Sequence, residues 1–162
     1  VLYRQARGCL NGAEFRVVKV RAMVQNAEKL KDKLIEKGDN ERSGPAFKMK
    51  NDPRITACGR FIRKYAIDEL PQLINILRGD MTIVGPRPPL PREVAQYKTW
   101  QRRRLSVRPG LTCYWQVGGR DEIGFDEWMD LDLRYVDHWN IKRDVALIAA
   151  TVPVVLFGKG AS

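Results

Sequence analysis

The sequence has few of the residues from which many catalytic and metal sites are built. Histidine occurs once, as His138, and the three cysteines, Cys9, Cys58 and Cys113, are widely spaced without a CxxC pattern. This inventory excludes a disulfide framework and a structural zinc site, and it favours reduced thiols in a cytosolic setting. A Ser-His-Asp or Cys-His mechanism would have one candidate base and no evident nucleophile beside it. We therefore expect His138 to be structural or interfacial.

The sequence also lacks a long apolar run, an internal repeat and a low-complexity segment. Its longest apolar stretch, residues 145–157, is interrupted by Pro153 and is shorter than the ~20 residues that span a bilayer. We expect a core or interfacial helix there. No signal peptide is visible, and the chain opens without methionine in a strand-like segment. We therefore expect it to be part of a longer protein.

Acidic residues are outnumbered by basic ones. The 162 residues include 29 Lys and Arg against 19 Asp and Glu, which gives a net charge of +10. A surface of this kind favours polyanions: nucleic acid, anionic lipid or a phosphorylated substrate. The charge alone does not choose among these three.

Local signals predict one mostly helical α+β domain over residues 1–162. Asn11-Gly12 marks the turn of a β-hairpin over residues 2–20, and apolar residues at helical spacing predict a helix over 125–139. The strands do not alternate with helices as βαβ units, which indicates α+β rather than a doubly wound sheet. Further helices are predicted at 26–38, 56–65, 68–79, 91–105 and 142–157, and strands at 47–50, 81–84 and 111–117.

The stretch RFIRKYAIDELPQLINILRGD, residues 60–80, contains two adjacent carboxylates, Asp68 and Glu69. Spacing alone favours Asp68 as a helix N-cap and Glu69 in the first turn. A carboxylate at a helix N-terminus also lies beside free N–H groups, where phosphate binds. With Arg63 and other bases nearby to screen phosphate oxygens, Asp68 is a candidate nucleophile toward phosphorus. The two interpretations are compatible.

Two other basic segments each have two interpretations. GPRPPLP, residues 85–91, is either a stiff polyproline ligand for a partner or a means of fixing Arg87 for phosphate binding. Residues 102–120 interleave arginines with aromatics, as single-stranded nucleic-acid binders do, whereas a solvated helix face is expected for the triplet 102–104. For Trp128 and Trp139, the protein core and a membrane interface stay open as locations.

Four blocks of the chain together resemble the bacterial sugar transferase family, the monotopic phosphoglycosyl transferases. They stand in family order and cover nearly the whole chain. The blocks are FRVVKVRAM (15–23), residues 47–88, RRLSVRPGLTCYWQVGGR (103–120) and DLDLRYVDHWNIKRDV (130–145). The resemblance implies transfer of a sugar-1-phosphate from a UDP-sugar to polyprenyl (undecaprenyl) phosphate with release of UMP. That reaction begins exopolysaccharide or O-antigen assembly at the cytoplasmic face of the bacterial inner membrane.

The resemblance also implies roles for individual residues. Asp68 is expected to form a covalent aspartyl-phosphosugar, and Glu69 to lie near a required Mg²⁺ as its ligand. The expected substrate- and phosphate-binding residues are Lys19, Arg21, Arg63, Pro86, Arg87, Pro88 and Arg120. The chain departs from the family at Ala66 and Cys113, where serine and glycine are common. The family's re-entrant membrane helix has no counterpart here, so we expect the chain to be the catalytic domain alone.

These implications define the expected partners: a UDP-sugar, polyprenyl phosphate and a membrane surface, without nucleic acid. A homodimer stays open. Two other functions also stay open from the residues themselves. One is a basic module that binds nucleic acid or anionic lipid without catalysis, and the other is a scaffold that recruits a partner through GPRPPLP.

Overall fold

The described residues form two small sheets, and the first of them lines the cavity described below. In the computed structural model, which describes residues 2–38, 40–41, 44–49, 51–118 and 123–158, β1 (Leu2–Gly8) pairs with β2 (Glu14–Val20) in an antiparallel hairpin. A 3₁₀ turn joins them, and Asn11 has the left-handed φ of 56° that the Asn-Gly signal predicts. The second sheet pairs β3 (Thr82–Val84) with β4 (Gly110–Thr112) in parallel. The predicted α+β class is confirmed.

Helices account for most of the remaining described structure. Thr56 caps α2 as predicted, its hydroxyl accepting from the N–H of Gly59 at 3.0 Å. The helices are α1 (Ala27–Glu36), α2 (Ala57–Lys64), α3 (Leu73–Leu77), α4 (Pro91–Val94), α5 (Thr99–Arg102), α6 (Tyr114–Val117), α7 (Phe125–Asp137) and α8 (Ile141–Phe157). Two 3₁₀ segments, Ile67–Gln72 and Arg103–Ser106, precede α3 and follow α5.

The main core is aromatic and lies under α7. Phe125, Trp128 and Met129 are buried on one stripe of that helix, and Trp128 packs on Trp115 with ring centroids 5.1 Å apart. A second cluster joins α7 to α8 and β3, where the Tyr135 hydroxyl donates to the carbonyl of Val84 at 3.0 Å. Trp128 is therefore a core residue, and its alternative location at a membrane interface is wrong.

Glycine permits one close approach that shapes the cavity wall. A Cβ on Gly59 would lie 1.9 Å from the carbonyl oxygen of Ala22, so α2 can lie directly against the segment that follows β2. Thr56 strengthens the same junction because its N–H donates to the Ala22 carbonyl at 3.1 Å. The end of β2 and the residues after α2 are thereby held together.

Two of the predicted strands are wrong in whole or in part. The described residues of 47–50 form a loop, because Lys48 exchanges hydrogen bonds with the loop residues Asn40 and Glu41 rather than with a strand. The strand predicted at 111–117 ends at Thr112, and the chain then turns into α6. That turn buries Trp115 against α7, so tertiary packing overrides the β-propensity of the aromatics.

The helix predicted at 91–105 is also wrong as a continuous element. It breaks after α4 where Tyr97 enters the core, and a new turn starts when Gln101 accepts from the N–H of Lys98 at 2.7 Å. The expected solvated face of the arginine triplet is wrong at Arg104, which is 1% exposed. Arg102 and Arg103 do lie on the surface.

Exposed apolar side chains are concentrated on two helical surfaces. The first, here called the apolar face, has i, i+3, i+4, i+7 spacing and consists of Leu70, Leu73, Ile74 and Leu77, the last being 88% exposed. Along α8, exposed apolar residues include Ile141, Val145, Val152 and Leu156, and Trp139 before it is 59% exposed. Within the described residues, no helix combines the length and the apolar character needed to cross a bilayer.

Candidate active site

The adjacent carboxylates lie in a tight 3₁₀ turn that follows a reversal of the chain. Ala66 has a left-handed φ of 53° and precedes the segment Ile67–Gln72, whose first turn contains Asp68 and Glu69. The prediction that Asp68 is itself the N-cap is wrong, because Ala66 occupies that position. The N–H of Glu69 donates to the Ala66 carbonyl at 3.0 Å, and this bond fixes the start of the turn.

Glu69 is held by two cations that act on the same oxygen. Its Oε1 accepts from Lys19 Nζ at 3.0 Å and from Arg87 Nη2 at 2.5 Å. Burial opposes ionisation of Glu69, but the charges of Arg87 and Lys19 outweigh it and hold the pKa of the carboxyl well below its ordinary value. Burial lowers the pKa of Lys19 to about 8, although Glu69 opposes that shift. The second oxygen, Oε2, takes neither of these bonds.

Asp68 differs from its neighbour because its carboxylate is unengaged. It is half-buried and forms no hydrogen bond or salt bridge with any residue that the structure describes. Burial raises its pKa, Glu69 adds to the rise, and Lys19 and Arg63 oppose it. A carboxylate with free lone pairs beside surplus cations is suited to nucleophilic attack on an anionic phosphorus centre.

Both carboxylates open into one cavity of about 420 Å³. The cavity lies between the hairpin, α1, the loop around Phe47 and the turn that carries the acids. It brings together most of the residues that the sequence predicts to act on substrate. These are Lys19, Arg21, Arg63, Asp68, Glu69, Arg87 and Pro88.

Two of the predicted substrate-binding residues are not in that group. Pro86 does not line the cavity, and its carbonyl accepts from the N–H of Gly110 in β4 at 2.9 Å. Arg120 lies outside the described residues. The structure thus places Pro86 in a supporting position.

The segment from Pro86 to Pro88 is fixed through all three of its carbonyl groups. The carbonyl of Arg87 accepts from Arg104 Nη2 at 2.7 Å, and that of Pro88 accepts from Arg7 Nη1 at 3.1 Å. With the bond from β4 to Pro86, three separate parts of the chain hold the segment. The Arg87 guanidinium is therefore presented to Glu69 from a rigid backbone.

Sequence reasoning missed Arg104 and its partner Asp132. Their side chains form a sealed salt bridge with Arg104 Nη2 and Asp132 Oδ2 2.6 Å apart, and Arg104 Nη1 donates to the Tyr97 hydroxyl at 2.7 Å. The guanidinium also lies over the Trp128 ring, 5.0 Å from its centroid. One sequence signal was available: Asp132 falls seven residues after Phe125, on the apolar stripe of α7.

Arg7 is a second residue that the sequence did not single out. Besides holding Pro88, its guanidinium donates to Gln5 Oε1 at 2.7 Å and lines the cavity. Burial lowers the pKa of Arg7 to about 10, and Arg87 acts in the same direction. Tyr3, Gln5 and Arg7 are alternate residues of β1, so their side chains lie on the same face of the hairpin.

Among the described residues, the adjacent carboxylates Asp68 and Glu69 are the candidates for binding a metal ion beside Lys19 and Arg87. No group of three or more His, Cys, Asp or Glu side chains able to hold a metal ion is found in the part of the chain that the structure describes. A dedicated all-protein cage is therefore not seen there. Mg²⁺ is commonly held by one or two carboxylates together with substrate phosphates and water. Asp68 and Oε2 of Glu69, for which no bond to a described residue is seen, fit that second arrangement.

Comparison with known proteins decides the family. The family model described as bacterial sugar transferase matches residues 1–158. The chain belongs to the bacterial sugar transferase family. The adjacent carboxylates Asp68 and Glu69 lie within the matched residues and line the cavity.

Curated relatives cover nearly the whole of this chain. The galactosyl transferase CpsE of Streptococcus agalactiae serotype III is 47% identical over 161 residues, spanning 99% of this chain and 35% of that protein. The undecaprenyl-phosphate galactose phosphotransferase of Salmonella typhimurium is 41% identical, spanning 99% and 34%. The UDP-glucose:undecaprenyl-phosphate glucose-1-phosphate transferase of Caulobacter vibrioides is 36% identical, spanning 96% and 56%. The chain thus spans about a third of the length of the first two relatives.

Proposed function

We propose that this chain is the catalytic part of an enzyme that transfers a sugar-1-phosphate from a UDP-sugar to polyprenyl phosphate. The observation that carries the proposal is the unengaged carboxylate of Asp68 beside a Glu69 that Lys19 and Arg87 already neutralise. The names of the relatives supply the donor and acceptor classes. We infer the mechanism from the chemistry of the site.

In the first step, an oxygen of Asp68 attacks the phosphorus that bears the sugar. The bond from that phosphorus to the bridging oxygen breaks, and UMP leaves with the electron pair. The product on the enzyme is an aspartyl-phosphosugar. Lys19 and Arg87 bind Glu69, the neighbour of Asp68, and would stabilise the negative charge on the phosphate oxygens, which is the main demand of phosphoryl transfer.

In the second step, a phosphate oxygen of the polyprenyl acceptor attacks the same phosphorus. The bond to Asp68 breaks, the carboxylate is regenerated, and a polyprenyl-diphosphate sugar is formed. Asp68 and Glu69 would hold Mg²⁺, which supplies charge neutralisation for the phosphates when bound. The covalent intermediate allows the soluble donor to depart before the lipid acceptor reacts.

The location of the apolar face supports the proposal that the enzyme acts on its lipid acceptor at a membrane surface. Leu70 and Leu73 follow Glu69 by one and four residues, so the face begins at the catalytic turn. A lipid acceptor whose chain stays in the bilayer can present its phosphate only near the surface. We propose that the apolar face contacts the cytoplasmic leaflet of the bacterial inner membrane, with exopolysaccharide-type assembly as the role.

The test is UMP release by the intact protein in detergent, with Mg²⁺, polyprenyl phosphate and a panel of UDP-sugars. Asp68→Asn should lower the rate at least about 10³-fold, because it removes the nucleophile. Asp126→Asn is the matched control, since Asp126 is exposed on α7 and its loss should leave the rate unchanged. Without acceptor, a donor labelled in the sugar should label the wild-type protein but not Asp68→Asn.

Two results would overturn the proposal. Full UMP release by Asp68→Asn would remove the proposed nucleophile. Failure of the folded protein with every nucleotide sugar, together with tight and salt-sensitive binding of single-stranded DNA or anionic vesicles, would favour the non-catalytic binding module.

A further inference from the structure

One lysine that lines the same cavity is buried without an ionic partner. Lys31 lies on α1, is 8% exposed, and forms no salt bridge or hydrogen bond with any residue in the described part of the chain. Its ammonium instead faces the Phe47 ring, whose centroid lies 5.6 Å from Nζ. Burying a cation in this way costs stability. Because this unfavourable burial lies at the wall of a cavity, it indicates that a bound ligand supplies the missing partner of the ammonium.

The surroundings show how little of that charge is balanced. Burial lowers the pKa of Lys31 to about 8, and Arg92 acts in the same direction. Glu93 and Glu28 oppose the shift without cancelling it. The Lys31 ammonium is therefore able to donate hydrogen bonds to a ligand in the cavity.

The acceptors around Lys31 are already used by other groups. Both oxygens of Asp52 hold Arg54, at 2.8 Å from Nε and 2.5 Å from Nη2. Glu28 accepts from Gln5 at 2.9 Å, and Glu93 accepts from a backbone N–H at 2.9 Å. Lys31, Phe47 and the Asp52–Arg54 pair define what we call the Lys31 corner. It offers a free donor and the half-buried ring of Phe47, over which the Arg54 guanidinium also lies, 4.8 Å from the ring centroid, while its carboxylate is engaged.

The Lys31 corner and the catalytic turn are built from different elements of the cavity wall. Lys31 of α1 and Arg54, which precedes α2, lie over the Phe47 ring, whereas Glu69 of the catalytic turn binds Lys19 of β2 and Arg87. A diphosphate belongs at the catalytic turn, where the cations surround the proposed nucleophile. The other parts of a nucleotide donor must then extend away from it.

We propose that the Lys31 corner binds the nucleobase of the nucleotide donor, an inference that rests on the proposed function. A pyrimidine such as uracil presents carbonyl oxygens at its edge, which accept hydrogen bonds from Lys31, and a flat ring that packs against the exposed part of Phe47 beside Arg54. A hexose presents hydroxyls that require acceptors as well as donors. The corner has no unengaged carboxylate among the described residues to supply them.

The experiment measures binding of UDP and of pyrophosphate by calorimetry to the intact protein in detergent. Lys31→Met should weaken UDP binding at least about tenfold through loss of a charge-assisted hydrogen bond, and should leave pyrophosphate binding within about twofold of wild type. Lys33→Met is the matched control because Lys33 is exposed on the same helix. It should leave both affinities unchanged.

The alternatives give different results. Unchanged UDP binding by Lys31→Met overturns the inference, and an equal loss for pyrophosphate overturns it by making Lys31 a phosphate contact. A loss seen with UDP-sugars but not with UDP overturns it in favour of a sugar site. Failure of the wild-type protein to bind UDP or UDP-sugars is a separate result, because it removes the proposed function itself.

Thermal unfolding shows that the variant is folded and tests the charge argument. Lys31→Met should unfold at a higher temperature than wild type at neutral pH, because the unpaired ammonium is gone. The folded pKa of about 8 is below the ordinary 10.5, so the gain is full below pH 8 and fades as the pH rises toward 10.5. The charged groups whose fields act on the pKa of Lys31 are Glu28, Arg54, Arg92 and Glu93. A variant less stable than wild type would contradict this account.

Discussion

A fully buried arginine–carboxylate pair and a half-buried cluster at the cavity differ in their charge balance. In the sealed pair, Arg104 and Asp132 are matched one to one and closed in by aromatic rings. In the cavity cluster, Arg87 and Lys19 both bind one oxygen of Glu69. Arg104 connects the two clusters through its bond to the Arg87 carbonyl. Matched charge serves the fold, and surplus positive charge is left for a ligand.

The largest effect on stability is expected at the sealed pair. Arg104→Met leaves Asp132 buried without its counter-ion and should lower the free energy of unfolding by about 3–5 kcal/mol. Denaturant unfolding measures it. The double variant Arg104→Met/Asp132→Leu should recover most of the loss, since two apolar groups replace two charges. A single variant as stable as wild type would mean that the pair does not hold the core.

Glu69→Gln should separate function from stability. The amide no longer balances Lys19 and Arg87, so UMP release should fall about 10²-fold or more. Unfolding should change less than in Arg104→Met, because the cavity admits water and ions to the two cations. Glu14→Gln, on the exposed side of β2, is the control for both measurements. If Glu69→Gln destabilised the protein as much as Arg104→Met, the contrast between the clusters would fail.

The smallest effect on the free energy of unfolding is expected at Arg103, which precedes Arg104 of the sealed pair in the sequence. Arg103 pairs with Asp137 at 2.5 Å, but the two side chains are 56% and 40% exposed. Arg103→Met should change the free energy of unfolding by less than about 1 kcal/mol. A loss comparable to that of Arg104→Met would show that exposure does not distinguish the two neighbouring arginines.

Elements with strong local signals could be predicted from the sequence. The Asn11-Gly12 hairpin, the Thr56 cap and the apolar period of α7 each depend on residues close together along the chain, and each is confirmed. The segment at 91–105 could not be predicted, because its break depends on Tyr97 meeting Arg104 and the core. Short segments of this kind are decided by packing partners that local propensity does not contain.

The sequence indicated which residues belong to the candidate site, but it did not indicate the ion pairs and hydrogen bonds among them. The resemblance named Asp68, Glu69 and Arg87, yet it did not show that both cations share Glu69 and leave Asp68 unengaged. Lys19 and Glu69 are 50 residues apart, so no spacing rule joins them. Lys31 carried no signal, since on a heavily charged helix it resembles its exposed neighbours.

The apolar face has a practical consequence for handling the protein. Leu70, Leu73, Ile74 and Leu77 form a water-exposed row, and such rows bind one another when nothing else covers them. Copies of this chain in plain buffer should therefore associate through the face that we propose to contact lipid. An oligomer size measured without detergent would then report this artificial contact. The amphiphile chosen for purification consequently determines which assembly is observed.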